Sequence, residues 1–323
     1  MSAELRAADR VDVLVIVDNS TDSLSTTPKH VTPEWAVLHA AGRLPFVAGE
    51  TICRAHHGLS LLVTAHVGDE RRTVLFDAGP EDATFRHNAG ILAVDPGSID
   101  AIVLSHGHWD HGGGLVAAVE AVAQARGRTV DCYVHPGMFV QRGSQRPDGS
   151  MYVFKPLAEP EALGKAGARV VVSRDRQLIA DGLFAVSGEI PRTTPFETGL
   201  PGHVRRSAQG WEPDPLIMDE RFLTVRLRDK GTLVFSACSH AGIVNVLAHA
   251  AETSSAPLYG VMGGFHLAGA TEKIIPETVA GIERFAPKLL APGHCTGWRA
   301  LSLMARTFGD ELIPTAVGKR YLL

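Results

Sequence analysis

The segment SHGHWDHGGG, residues 105–114, constrains the fold more than any other stretch of the chain. Three of the chain's 15 histidines and one aspartate fall between His106 and His111, and three glycines follow at once. The preceding AIVL (101–104) reads as the end of a buried strand. The following LVAAVEAVAQAR (115–126) is alanine-rich and helical. A run of ligand-type side chains at such a junction belongs on the open rim of a sheet. In an extended segment positions i and i+2 point the same way, so His106 and His108 reach one ion together. Asp110 and His111 come where the chain turns into the helix and project to a neighbouring point. Imidazole and carboxylate are donors that zinc accepts at about 2.0–2.2 Å.

The rest of the chain keeps the same style. VDVLVIVDN (11–19), LSLLVTAHV (59–67), RTVLFDAG (72–79), TVDCYVHP (129–136) and ARVVVSR (168–174) read as strands, as do LFAVSG (183–188) and FLTVRLRD (222–229). Strands that end in a polar residue alternate with helices, which predicts an α/β layered fold with two sheets stacked inside helices. No linker divides the chain, so residues 1–323 are expected to form a single domain. The segments 137–165 and 189–220 are rich in Pro, Gly and charge and are expected to be long active-site loops.

Closed metal sites need more donors than the motif holds. Three later predicted strands end in histidine: TLVFSACSH at His240, LYGVMGGFH at His266 and KLLAPGH at His294. Three such ends beside His106–His111 point to one shared rim.

Composition narrows the partners. With 45% hydrophobic and 20% charged residues and a net charge of −4, the chain has no basic excess for nucleic acid or an anionic membrane. No stretch approaches the roughly 18 apolar residues of a spanning helix. The apolar run Val11–Val17 is too short for a signal peptide. Four scattered cysteines without a CxxC predict neither a disulfide framework nor a zinc ribbon. A small-molecule substrate and a cytoplasmic setting are expected, and a homo-oligomer is left open.

FDAG (76–79), SHGHWDHGGG and APGHCTG resemble the metallo-β-lactamase superfamily. GEIPR (188–192), CSHAGIVN (238–245), GGFHL (263–267) and PGHCTG (292–297) are similar to one cytosolic branch, the dihydropterin ribofuranosylaminobenzene-phosphate synthase-like metal-dependent hydrolases. The resemblance implies a four-layer αββα sandwich, two mixed sheets between outer helices, with metal at the rim. It implies that His106 and His108 hold one ion, that Asp110, His111 and His294 hold a second, and that Asp77 buttresses the loop without ligating. Two positions depart from the family pattern. SGEIPR replaces a histidine motif, leaving Glu189 as a candidate oxygen ligand. ACSH replaces a bridging aspartate, leaving Cys238 or His240, of which His240 is favoured. Histidine at 108, where diiron members carry glutamate, favours zinc, one or two ions, with Mn2+ or Fe2+ as alternatives.

Zinc brings the pKa of water from about 15.7 towards 7–9 and so makes hydroxide available at neutral pH. The expected chemistry is hydrolysis of a small, anionic, ester-type substrate: a phosphoester, cyclic phosphate or lactone. Asp110 would orient the nucleophile and take its proton, and His266 would serve as general acid. The helix after His240 would turn free N–H groups towards an anion. Arg192, with Arg205 and Arg206 nearby, is a candidate anion contact and Trp109 a candidate pocket wall. His57 is read as structural. A transferase like the branch's synthase, or a non-catalytic metal sensor, are the alternatives.

Overall fold

In the computed structural model, which describes residues 4–323, the strand Arg10–Val17 alternates faces as its sequence RVDVLVIV requires. Val11, Val13 and Val15 point into one core, and Ile16 and Val17 reach another after a bulge. The neighbouring Ser60–Val67 does the same with Leu61, Val63 and Ala65. These strands belong to an eight-stranded mixed sheet. Its outer part is parallel: Glu70–Phe76, Ala101–Val103, Val130–Val134 and Ala168–Val172 run side by side. A second, seven-stranded sheet holds Leu223–Leu227 antiparallel to Gly231–Ser236, followed by the parallel strands Leu258–Gly264 and Leu289–Gly293.

The inner faces of the two sheets meet, with Val13, Leu61 and Val63 packed in one core with Val225, Phe235 and Met262. Outside the first sheet, Leu75, Ile102 and Leu104 are covered by Leu115, Val119 and Val122 of the helix Leu115–Arg126. Outside the second, Val234, Val261 and Leu290 are covered by the helices Ile243–Thr253, Ile275–Glu283 and Trp298–Phe308. Parallel strands covered on both faces must be apolar throughout, which is why these segments read as continuous hydrophobic runs. Each such side chain contributes about 1.5–3 kcal/mol on burial. The fold is therefore the four-layer αββα sandwich. Among the described residues no helix is long and apolar enough to cross a membrane.

The two segments expected as long loops are loops only in part. Arg142–Gln145 and Met151–Val153 from the first pair with His203–Ser207 and Gly210–Pro213 from the second, in a third, four-stranded antiparallel sheet. Their Pro, Gly and charge lie at hairpin turns and on exposed faces, which hid the strands from a composition reading. Asp219 ties this sheet to the motif by accepting from the Gly107 N–H (2.8 Å) and from buried Arg142.

The glycines of the motif have a packing cause. A Cβ on Gly113 would lie 1.8 Å from the Pro80 carbonyl oxygen, so the loop after Phe76 can pack on the motif only if that position is bare.

Candidate metal centre

The C-terminal ends of the parallel strands of both sheets share one rim, the place where open α/β sheets bind ligands. Asp77 follows Phe76, His106 follows the Ala101–Val103 strand, and His240, His266 and His294 follow their three neighbouring strands within a few residues. Asp77, Ser239, His266 and His294 all have positive φ (61°, 57°, 43° and 47°), so the backbone is strained where the strands release these side chains.

Hydrogen bonds fix which nitrogen of each ring is bare. The His111 Nδ1–H donates to Asp77 Oδ2 (2.8 Å), leaving Nε2 bare at 3.2 Å from Cys238 Sγ. Ser105 Oγ donates to Asp77 Oδ2 (2.8 Å) and accepts from His106 Nδ1–H (2.9 Å), leaving His106 Nε2 bare. The His294 Nδ1–H donates to Asn19 Oδ1 (2.9 Å), and its Nε2 lies 3.4 Å from Asp110 Oδ2. His106 Nε2 lies 3.0 Å from His108 Nδ1.

Donor atoms of Asp110, His111, Cys238 and His294 all lie within 4.8 Å of one another, and so do those of His106, Cys238 and His240. The His108 and His240 rings are 4.9 Å apart. Both nitrogens of His240 and Nε2 of His294 are buried without a hydrogen-bond partner. Unpartnered buried nitrogens are costly, and a cation is the partner that this donor set suits. Burial pushes His106, His108 and His240 well below the ordinary imidazole pKa, so they stand neutral with lone pairs available. Burial would raise Asp110, but His111 and His294 outweigh it and hold its carboxyl far below the usual range. Two donor groups that share Cys238 thus fit a divalent ion: His106, Cys238 and His240, with His108 Nδ1 beside His106, and Asp110, His111, Cys238 and His294. Cys238 and His240 both converge, so the preference for one over the other was unnecessary.

Five expectations need correction. Glu189 is outside the cluster; its carboxylate is taken by His135 (3.0 Å) and Arg174 (2.6 Å). Arg192 turns its guanidinium onto the carbonyls of Ile190, Leu216 and Ile217 and does not line the cavity. The helix after His240 offers no free amides, because Glu197 accepts from Val244 N and Asn245 N, both at 2.8 Å, and Glu220 accepts from His240 N and Ala241 N. His57 is not merely structural: its Nε2 lies 3.4 Å from Asp110 Oδ2. Arg205 and Arg206 are spent on their own hairpin, against Glu212 and the Trp211 ring.

A cavity of about 480 Å³ opens over the cluster, walled by His57, Trp109, Phe154, Leu200 and Ala268, with His266 and Cys295 at its floor. Trp109 thus sits where the wall was expected. Asn19, Ser105 and His203 were missed. VDN at the end of the first strand carried a signal for Asn19, a polar residue leaving a strand on the same rim; His203, alone in a polar segment, carried none.

Residues 54–205 match the model of the metallo-beta-lactamase superfamily. Over that stretch the chain is similar to the metallo-beta-lactamase superfamily. This metallo-beta-lactamase-fold protein is 29% identical, over 82% of its length and 89% of the relative's, to the 7,8-dihydropterin-6-methyl-4-(beta-D-ribofuranosyl)-aminobenzene-5'-phosphate synthase of Methanocaldococcus jannaschii. Among solved structures it superposes on Tm1679, described as a metal-dependent hydrolase of the beta-lactamase superfamily, with a TM-score of 0.69 and 24% identity over 96% of this chain and 98% of that one. YhfI from Bacillus subtilis, a metallo-beta-lactamase fold protein, superposes with a TM-score of 0.52 and 16% identity over 98% and 100% of the two chains.

Proposed function

We propose that this chain is a zinc-dependent hydrolase of a small ester-type substrate: a phosphoester, cyclic phosphate or lactone. The observation that carries the reading is the convergence of buried imidazoles, one carboxylate and one thiol, with both His240 nitrogens left without a hydrogen-bond partner. Bound there, a divalent ion supplies Lewis acidity and an acidified water. Asp110 stays ionised beside His111, His294 and His57, which suits holding and orienting the nucleophile better than accepting its proton. His266 lines the cavity; burial pushes its pKa down, but neighbouring Cys295 more than offsets this and raises it, which supports its role as the acid for the leaving group. No lysine or arginine lines the cavity, so an anionic reacting group would be met by the ions and the substrate body by Trp109, Phe154 and Leu200.

A second reading, transfer of a group to an acceptor, is favoured by the 29% identity to a named synthase. The two are separated by assaying the zinc-loaded protein on phosphodiester, phosphomonoester and lactone panels with and without an aromatic acceptor. In the hydrolase reading Asp110→Ala lowers turnover by about 100-fold or more. Unchanged turnover in that variant would remove the mechanism.

A further inference from the structure

Five contacts link Asp77 to the inserted sheet through the motif. Asp77 Oδ2 meets Ser105 Oγ (2.8 Å), Ser105 Oγ meets His106 Nδ1 (2.9 Å), and His106 Nε2 meets His108 Nδ1 (3.0 Å). His108 Nε2 then meets His203 Nε2 (2.9 Å), and His203 Nδ1 meets the Asp214 carbonyl oxygen (2.7 Å). Asp77, Ser105, His106, His108 and His203 are all buried, His203 to 1% exposure.

The two ends of this relay, a carboxylate and a backbone carbonyl, only accept. The four groups between them, one hydroxyl and three neutral imidazoles, carry one proton each. Five contacts therefore share four protons, and one contact must go without. From the Asp77 end, Ser105 gives its proton to the carboxylate and accepts the His106 Nδ1–H, so His106 Nε2 is bare. From the other end, the Asp214 carbonyl claims the His203 Nδ1–H, so His203 Nε2 is bare and takes the His108 Nε2–H. His108 Nδ1 is left bare. With Ser105 accepting the His106 Nδ1–H and His203 accepting the His108 Nε2–H, the missing proton falls between His106 Nε2 and His108 Nδ1, 3.0 Å apart.

We propose that His203 is a positioning residue of the metal centre: it imposes the Nε2–H tautomer on His108 and so presents His108 Nδ1, with His106 Nε2, to a cation. The inserted sheet, which neither ion touches through a ligand of its own, thereby prepares the site. The role of His108 as a ligand rests on the metal-dependent reading above; the tautomer does not. With the acceptor at His203 removed, His108 is free to place its proton on Nδ1 towards His106, and a cation must first reverse that choice.

The test is a long-range 1H–15N imidazole spectrum of the metal-free full chain, with zinc affinity measured separately by chelator competition. The wild-type spectrum is expected to show His108 protonated on Nε2 and His203 on Nδ1. In His203→Phe, which keeps a ring but no acceptor, His108 is expected to gain Nδ1–H character and zinc affinity to fall by about 10–100-fold. His108 protonated on Nδ1 in the wild type, or His203→Phe binding zinc as tightly as the wild type, would overturn the proposal. If the variant does not fold, the wild-type spectrum decides alone. A wild-type chain that binds no zinc defeats the metal reading, while its spectrum still decides the relay.

Discussion

Asp77→Asn tests the centre at its anchor. The Asp77 carboxylate, fully buried, accepts from Ser105 N (2.7 Å), Ser105 Oγ (2.8 Å) and His111 Nδ1 (2.8 Å). Its φ of 61° is one that asparagine adopts as readily as aspartate, so the backbone tolerates the change. Asn Oδ1 keeps the Ser105 N–H, and the amide NH2 takes the place of Oδ2, facing His111 Nδ1. Two donors cannot share that contact. His111 therefore moves its proton to Nε2, the atom aimed at Cys238 and the cluster. A metal ion can bind only if His111 reverts, which forfeits a charge-assisted hydrogen bond worth about 1.5–3 kcal/mol. At about 1.4 kcal/mol per decade that predicts zinc binding weaker by about 10–100-fold. The assay is competition with a chromophoric chelator, run beside urea unfolding of the metal-free protein, where a loss of about 1–3 kcal/mol is expected from the weakened acceptor. Zinc affinity within about two-fold of the wild type would refute the claim that Asp77 sets the His111 tautomer.

Two further outcomes follow from the same geometry. A Cβ on Gly107 would lie 2.1 Å from Arg142 Nη1 and 2.4 Å from the Met138 carbonyl oxygen, so Gly107→Ala should lower the urea midpoint by the equivalent of about 1–3 kcal/mol or more and weaken zinc binding; a midpoint like the wild type's would contradict the packing described. His240 is buried neutral with its pKa pushed well down, while in the unfolded chain it takes up a proton near pH 6.5, so as pH falls the unfolded state binds the extra proton and stability is lost. Between about pH 7 and pH 5 this one residue should cost the metal-free protein about 2 kcal/mol, and His240→Asn should lose correspondingly less over that interval; an equal loss in both proteins would show that His240 is not buried neutral.

The layers and most of the cluster were legible in the residues. A strand that packs on both faces must be apolar, and where the apolar run stops the chain has reached the rim, so His106, His240, His266 and His294 announced their place by following such runs. That is local information: it depends on the period and length of a hydrophobic segment. The third sheet was not legible, because Arg142–Gln145 and His203–Ser207 are short, largely polar strands held together by pairing across the chain. Nor was it legible that Glu197 takes the helix amides meant for an anion, that Arg192 is consumed by carbonyls, or that Asn19 orients His294 from 275 residues away. Hydrophobic patterning settled which segments are buried and where donor-rich ends emerge, since burial responds to side-chain type within each segment. The fate of each hydrogen-bonding group, and with it the nitrogen that every histidine offers, was decided only by tertiary structure, because a directional bond requires a partner whose position no local pattern encodes.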